Sequence, residues 1–69
     1  MKIVVKNSEM LRQRILKKGY SVRSYSRAID VSDSHMSQIV NCQRNPGPEI
    51  AKKMAALLDA SFEEIFEFG

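Results

Sequence analysis

Five short apolar stripes at helical spacing, each cut off by turn-forming or polar residues, restrict most strongly how this chain can fold. Residues three and four apart share one face of an α-helix, so each stripe predicts an amphipathic helix resting on a common core. The stripes are Leu11 and Ile15; Val22, Tyr25, Ser26 and Ile29; Met36, Ile39 and Val40; Ile50, Met54, Leu57 and Leu58; and Phe62, Ile65 and Phe66. Their boundaries are marked too. Asn7 or Ser8, Ser21, Ser32 and Ser61 stand where helix caps belong, Pro48 suits a first helical position, and Gly19 can close the first helix. Ile3, Val4 and Val5, β-branched and set between lysines, read as a short strand. That strand needs a partner, and Glu67 and Phe68 are expected to supply it, making a two-stranded ribbon that joins the ends. The expected fold is all-α, a compact five-helix domain over 1–69 with this ribbon as its extended part.

A chain of 69 residues has room for one modest core. No apolar run approaches the roughly 18 residues of a membrane span, and no signal-peptide pattern opens the chain. The lone cysteine, Cys42, allows no internal disulfide, which fits a cytoplasmic protein. The net charge of +3 conceals a strong asymmetry. Residues 1–29 carry eight basic side chains against Glu9 alone, and residues 30–69 carry three against seven acidic ones. A basic half suits a polyanion, with the acidic carboxy-terminal end facing away from it.

Catalysis and metal binding find little support. His35 and Cys42 stand seven residues apart, a poor catalytic pair and too few ligands for zinc. There is no phosphate-cradling glycine loop and no carboxylate pair placed in a cleft, so no enzymatic activity, cofactor or metal is expected. The distinctive stretch is instead Asp30 to Asn41. Asp33, Ser34, Ser37, Gln38 and Asn41 form a polar face at helical spacing, opposite Met36, Ile39 and Val40. A short helix held by one face and offering hydrogen-bonding groups on the other is suited to being read from outside. With the preceding helix it makes a helix-turn-helix over about 21–41.

From Leu11 to Phe66 the chain resembles the lambda-repressor-like, Cro/CI or XRE-type, helix-turn-helix family. Four landmarks in order carry the resemblance: Lys-Gly-Tyr-Ser-Val-Arg at 18–23, Val-Ser-Asp-Ser-His-Met-Ser-Gln-Ile at 31–39, Arg-Asn-Pro-Gly-Pro-Glu-Ile-Ala-Lys-Lys-Met-Ala at 44–55, and Ser-Phe-Glu-Glu-Ile-Phe at 61–66. It implies a sequence-specific regulator of double-stranded DNA, with repression the commonest role, that inserts the helix of about 33–41 into the major groove. Carried over by position, the base contacts would be Asp33, Ser34 and Gln38, with Ser37 and His35 at the margin. Asp33 could instead serve the helix amino terminus. Phosphate contacts would come from Ser21, Arg23, Asn41, Gln43 and Arg44.

The departures are specific. Asp30, Cys42 and Asp59 occupy positions where the family favours glycine for a positive φ, and Asn41 is expected to share the strain at the second of these. Arg14 stands where an aliphatic residue is common, with Ile15 taking that role. Val22 replaces a frequent glutamine that reaches a phosphate. Tight binding by so small a reader calls for a homodimer on an inverted-repeat operator. Phe62, Ile65, Phe66 and Phe68 exceed what their short segment needs for itself and are the expected dimer interface. The rival expectation is a protein-interaction module, or an antitoxin with a protein partner, on the same fold.

Overall fold

The computed structural model describes all 69 residues, in the order β1 (Ile3–Val5), α1 (Ser8–Lys17), α2 (Val22–Ile29), α3 (Asp33–Val40), α4 (Pro48–Leu57), α5 (Phe62–Ile65) and β2 (Phe66–Phe68). All five expected helices are present. Each predicted stripe turns inward, and Leu11, Ile15, Tyr25, Ile29, Met36, Ile39, Val40, Met54, Leu58, Ile65 and Phe66 meet in one core with Ala51 and Ala55. The Tyr25 hydroxyl satisfies itself there by donating to the Met54 carbonyl at 2.7 Å. Burial, with some repulsion from Tyr20, pushes this phenol above its ordinary range, so it stays protonated and keeps that bond.

The ribbon forms as expected. β1 and β2 run antiparallel with Ile3 opposite Phe68, Val4 opposite Glu67 and Val5 opposite Phe66. Lys2 and Gly69 extend it by exchanging both backbone bonds, at 3.2 and 2.8 Å. The two ends of the chain are thereby tied to each other.

Helix starts follow the side chains present. Asn7 caps α1 by accepting from the Met10 N–H at 3.0 Å, Ser21 and Ser24 form a reciprocal capping box on α2, and Ser32 caps α3 through the His35 N–H. Ser61 holds the cap position of α5 without a side-chain cap bond. The expectation is corrected there, because the Glu64 N–H that the hydroxyl would meet donates to the Ser61 carbonyl instead, at 3.2 Å.

Helices α1 to α4 all end in the same closure, in which an amide bonds back five residues to a carbonyl: Tyr20 to Ile15, Val31 to Ser26, Gln43 to Gln38 and Ala60 to Ala55, at 2.8–3.1 Å. The closure requires a left-handed residue just before that amide. Gly19 supplies it at φ 87°, whereas Asp30, Cys42 and Asp59 adopt φ of 68°, 61° and 55°. The second site corrects the expectation for Asn41, which sits at φ −87° and leaves the strain wholly to Cys42. Aspartate tolerates this conformation and cysteine does not share its local hydrogen bonding. Cys42→Gly should therefore raise stability by about 0.5–1 kcal/mol, the relief being partly offset by the greater freedom of glycine in the unfolded chain. An unchanged or lower urea midpoint for this variant would show that no strain is held there.

Candidate nucleic-acid interface

The geometry of α3 follows from its two faces. Met36, Ile39 and Val40 are sealed in the core, which leaves Ser34 and Ser37 exposed and His35 and Gln38 half-buried on the outside. The Ser34 hydroxyl and the Gln38 amide make no bond within the protein. Gln38 can donate and accept together, so its free amide is the most discriminating group on this face.

Asp33 is differently placed. One carboxylate oxygen accepts from the Ser26 hydroxyl at 2.6 Å and the other from Arg23 Nε at 3.1 Å. The Ser26 hydrogen bond foremost, then Arg23, holds this carboxyl below the usual range. The side chain thus bolts the start of α3 to α2, while Ser32 does the capping. Ser26, the polar member of its stripe, is fully buried, with its hydroxyl set between the Asp33 carboxylate and the Arg23 carbonyl, each 2.6 Å away.

The expected phosphate contacts surround α3 on several elements. Ser21 spends its hydroxyl in the capping box, so what the start of α2 still offers is backbone N–H. Arg23 keeps its terminal nitrogens free beyond the bond to Asp33. Gln43 and Arg44 lie exposed in the loop after α3, and Arg44 has no acidic partner. Asn41 ends α3 and is fixed from α1. Arg12 donates to its side-chain oxygen, and Ser8, four residues earlier on the same face of α1, donates to the Val40 carbonyl at 2.6 Å. Neither Ser8 nor Arg12 stands out as a site residue in the sequence, although their i, i+4 spacing shows that they share a face.

The basic surface is narrower than the sequence implies. Arg14 pairs with Glu64 at 3.1 Å and Lys18 with Asp59 at 3.4 Å, drawing part of the basic half onto the acidic end. Of the four expected dimer residues, Ile65 and Phe66 are 0% and 1% exposed within the protomer, so they belong to its own core. Phe62 is half-buried, and Phe68 is 60% exposed with its ring 5.4 Å from that of Phe62. No cluster of three His, Cys, Asp or Glu side chains is placed to hold a metal ion, and no helix is long and apolar enough to cross a membrane.

A helix-turn-helix set in a small all-α domain, with its second helix turned outward, defines a protein of the DNA-binding class. The family model described as Helix-turn-helix matches residues 11–65, and the chain belongs to that family, the Cro/CI or XRE-type DNA-binding regulators. No curated protein matches the chain.

Proposed function

We propose that this protein is a sequence-specific regulator of transcription that acts as a repressor, with α3 inserted in the major groove of double-stranded DNA. The observation that carries the reading is the unpartnered amide of Gln38 beside the free hydroxyl of Ser34, on a helix whose opposite face is locked in the core. These two, with Ser37 and His35 beside them, read base edges, and Gln38 pairs best with adenine. Asp33 stays with Ser26 and Arg23 and sets the angle of α3. Arg23, Asn41, Gln43, Arg44 and the Val22 and Arg23 N–H groups that follow the Ser21 cap hold phosphates.

The protein acts as a homodimer on an inverted repeat. Support comes from an open groove of about 680 Å³ beside α4, with Ile3, Ala55, Ala56, Phe62 and Phe68 on its apolar side. Lys52 and Glu63 lie on the same groove, so a two-fold contact can set each lysine against the other copy's glutamate. The protomer measures 30 × 22 × 20 Å, a size that lets two copies side by side reach half-sites roughly 34 Å apart.

Binding to a duplex selected from a random pool tests the reading. Affinity should fall steeply with salt, as several neutralised phosphates release counterions. A curve flat between low and moderate salt would remove the DNA-binding claim. Sedimentation as a monomer at high concentration, with and without the duplex, would remove the dimer.

A further inference from the structure

We propose that Arg12, on α1, is a DNA-phosphate ligand, forming one anion site together with the Asn41 amide at the end of the recognition helix. The inference rests on the DNA-binding reading above and adds to it an element, α1, that does not belong to the helix-turn-helix.

Three basic residues of the amino-terminal half, Arg14, Lys18 and Arg23, are each paired with a carboxylate, Arg23 through Nε alone. Arg12 is exposed and has none. Its only partner is the side-chain oxygen of Asn41, a neutral acceptor, so most of the five guanidinium donors remain open. That bond also orients Asn41. With its oxygen turned to Arg12, the amide nitrogen points toward Ser37 Oγ, 3.4 Å away.

Arg12, Ser37 and Asn41 line a cleft of about 250 Å³ whose remaining walls are Val22 and Val40. Guanidinium, amide and hydroxyl donors therefore converge on one place, against an apolar backing that carries no competing acid. A phosphodiester fits this chemistry, being a singly charged anion whose two free oxygens match a forked donor. The cleft adjoins Ser37 on the outer face of α3, so a strand running along that helix passes it.

The site is also preorganised. Ser8 fixes α1 to the Val40 carbonyl one turn before Arg12 fixes it to Asn41, so little ordering remains to be done on binding. Val22 presents no polar side chain to the cleft, which leaves Arg12 as its only charge.

The test compares wild-type protein, Arg12→Gln and Arg12→Lys on a duplex selected from a random pool by the wild type. Glutamine keeps an amide donor for Asn41 and removes the charge. Arg12→Gln should bind about tenfold more weakly per half-site on every sequence alike, and the slope of log affinity against log salt should shrink by about 0.9 for each half-site occupied. Arg12→Lys should recover most of that slope. Replacing single phosphates with neutral methylphosphonates supplies a readout that does not depend on the variant's stability. One position per half-site should weaken the wild type and leave Arg12→Gln unaffected. Wild-type affinity and slope in Arg12→Gln, while Arg44→Ala still weakens binding, would overturn this inference alone and reduce Arg12 to a latch between helices. Failure of the wild type to select any duplex would overturn the DNA-binding reading with it.

Discussion

Ile39→Ala is expected to lower the stability of the domain by about 2–5 kcal/mol, enough to depopulate the folded state. Ile39 is fully buried on the inner face of α3, so truncation removes apolar burial and leaves a cavity that the surrounding helices close only in part. A domain of this size holds on the order of 3–10 kcal/mol in total, at roughly 0.05–0.15 kcal/mol per residue. One such deletion therefore competes with the whole margin. Urea denaturation followed by circular dichroism reads the effect directly. Ser34→Ala on the opposite face should stay within about 0.5 kcal/mol of wild type. A loss below about 1 kcal/mol for Ile39→Ala would mean that α3 is not anchored through this face, and the assignment of its outer side as the reading surface would go with it.

The second large effect concerns recognition. Gln38→Ala should erase preference at one base pair of each half-site, worth about 1–3 kcal/mol of discrimination or roughly 5- to 150-fold, while binding to unrelated sequence changes little. Arg44→Ala should do the reverse, weakening all sequences alike and reducing the salt slope by about 1. The contrast between the two is the informative result, because an unfolded variant loses both properties together. If Gln38→Ala preserved the full ranking of sequences, base reading would have to be assigned to Ser34 and Ser37, and the specificity of the protein would be slight.

The charge asymmetry of the sequence is a poorer guide to the surface than it looks. All three ion pairs join residues 1–29 to residues 30–69: Arg14 to Glu64, Lys18 to Asp59 and Arg23 to Asp33. Exposed pairs of this kind add about 0–1 kcal/mol each to stability, so their effect lies in the field the molecule presents. Two of them withdraw charge from the far end of α1 and leave Arg12 and Arg44 unpaired near α3. The third employs Asp33, an acid that would otherwise stand unbalanced at the mouth of the interface.

Much of the architecture is legible in the sequence, and the reason is range. Whereas the left-handed positions at Asp30, Cys42 and Asp59 are implied by the family resemblance, caps and apolar stripes depend on residues within about five positions of one another, and at that distance the periodicity of the backbone dictates who meets whom. The same holds for the family landmarks and for the polar face of α3. The ribbon was within reach because an isolated strand must find a partner for its backbone groups.

What only the tertiary structure decided are contacts whose partners lie on different helices. Arg12 meets Asn41 across 29 residues, and Arg14 meets Glu64 across 50. Which polar side chains touch at such separations depends on how the helices cross, and no local pattern records that angle. Phe62, Ile65, Phe66 and Phe68 make the point most sharply. All four are equally apolar in the sequence, but at Phe66 the chain passes from helix to strand, and the repeat changes from 3.6 residues to 2. Strand spacing gives Phe66 and Phe68 the same face of the ribbon, and both rings lie 5.4 Å from that of Phe62, but Phe66 joins Ile65 in the core while Phe68, two residues further along and opposite Ile3, is left in the open groove.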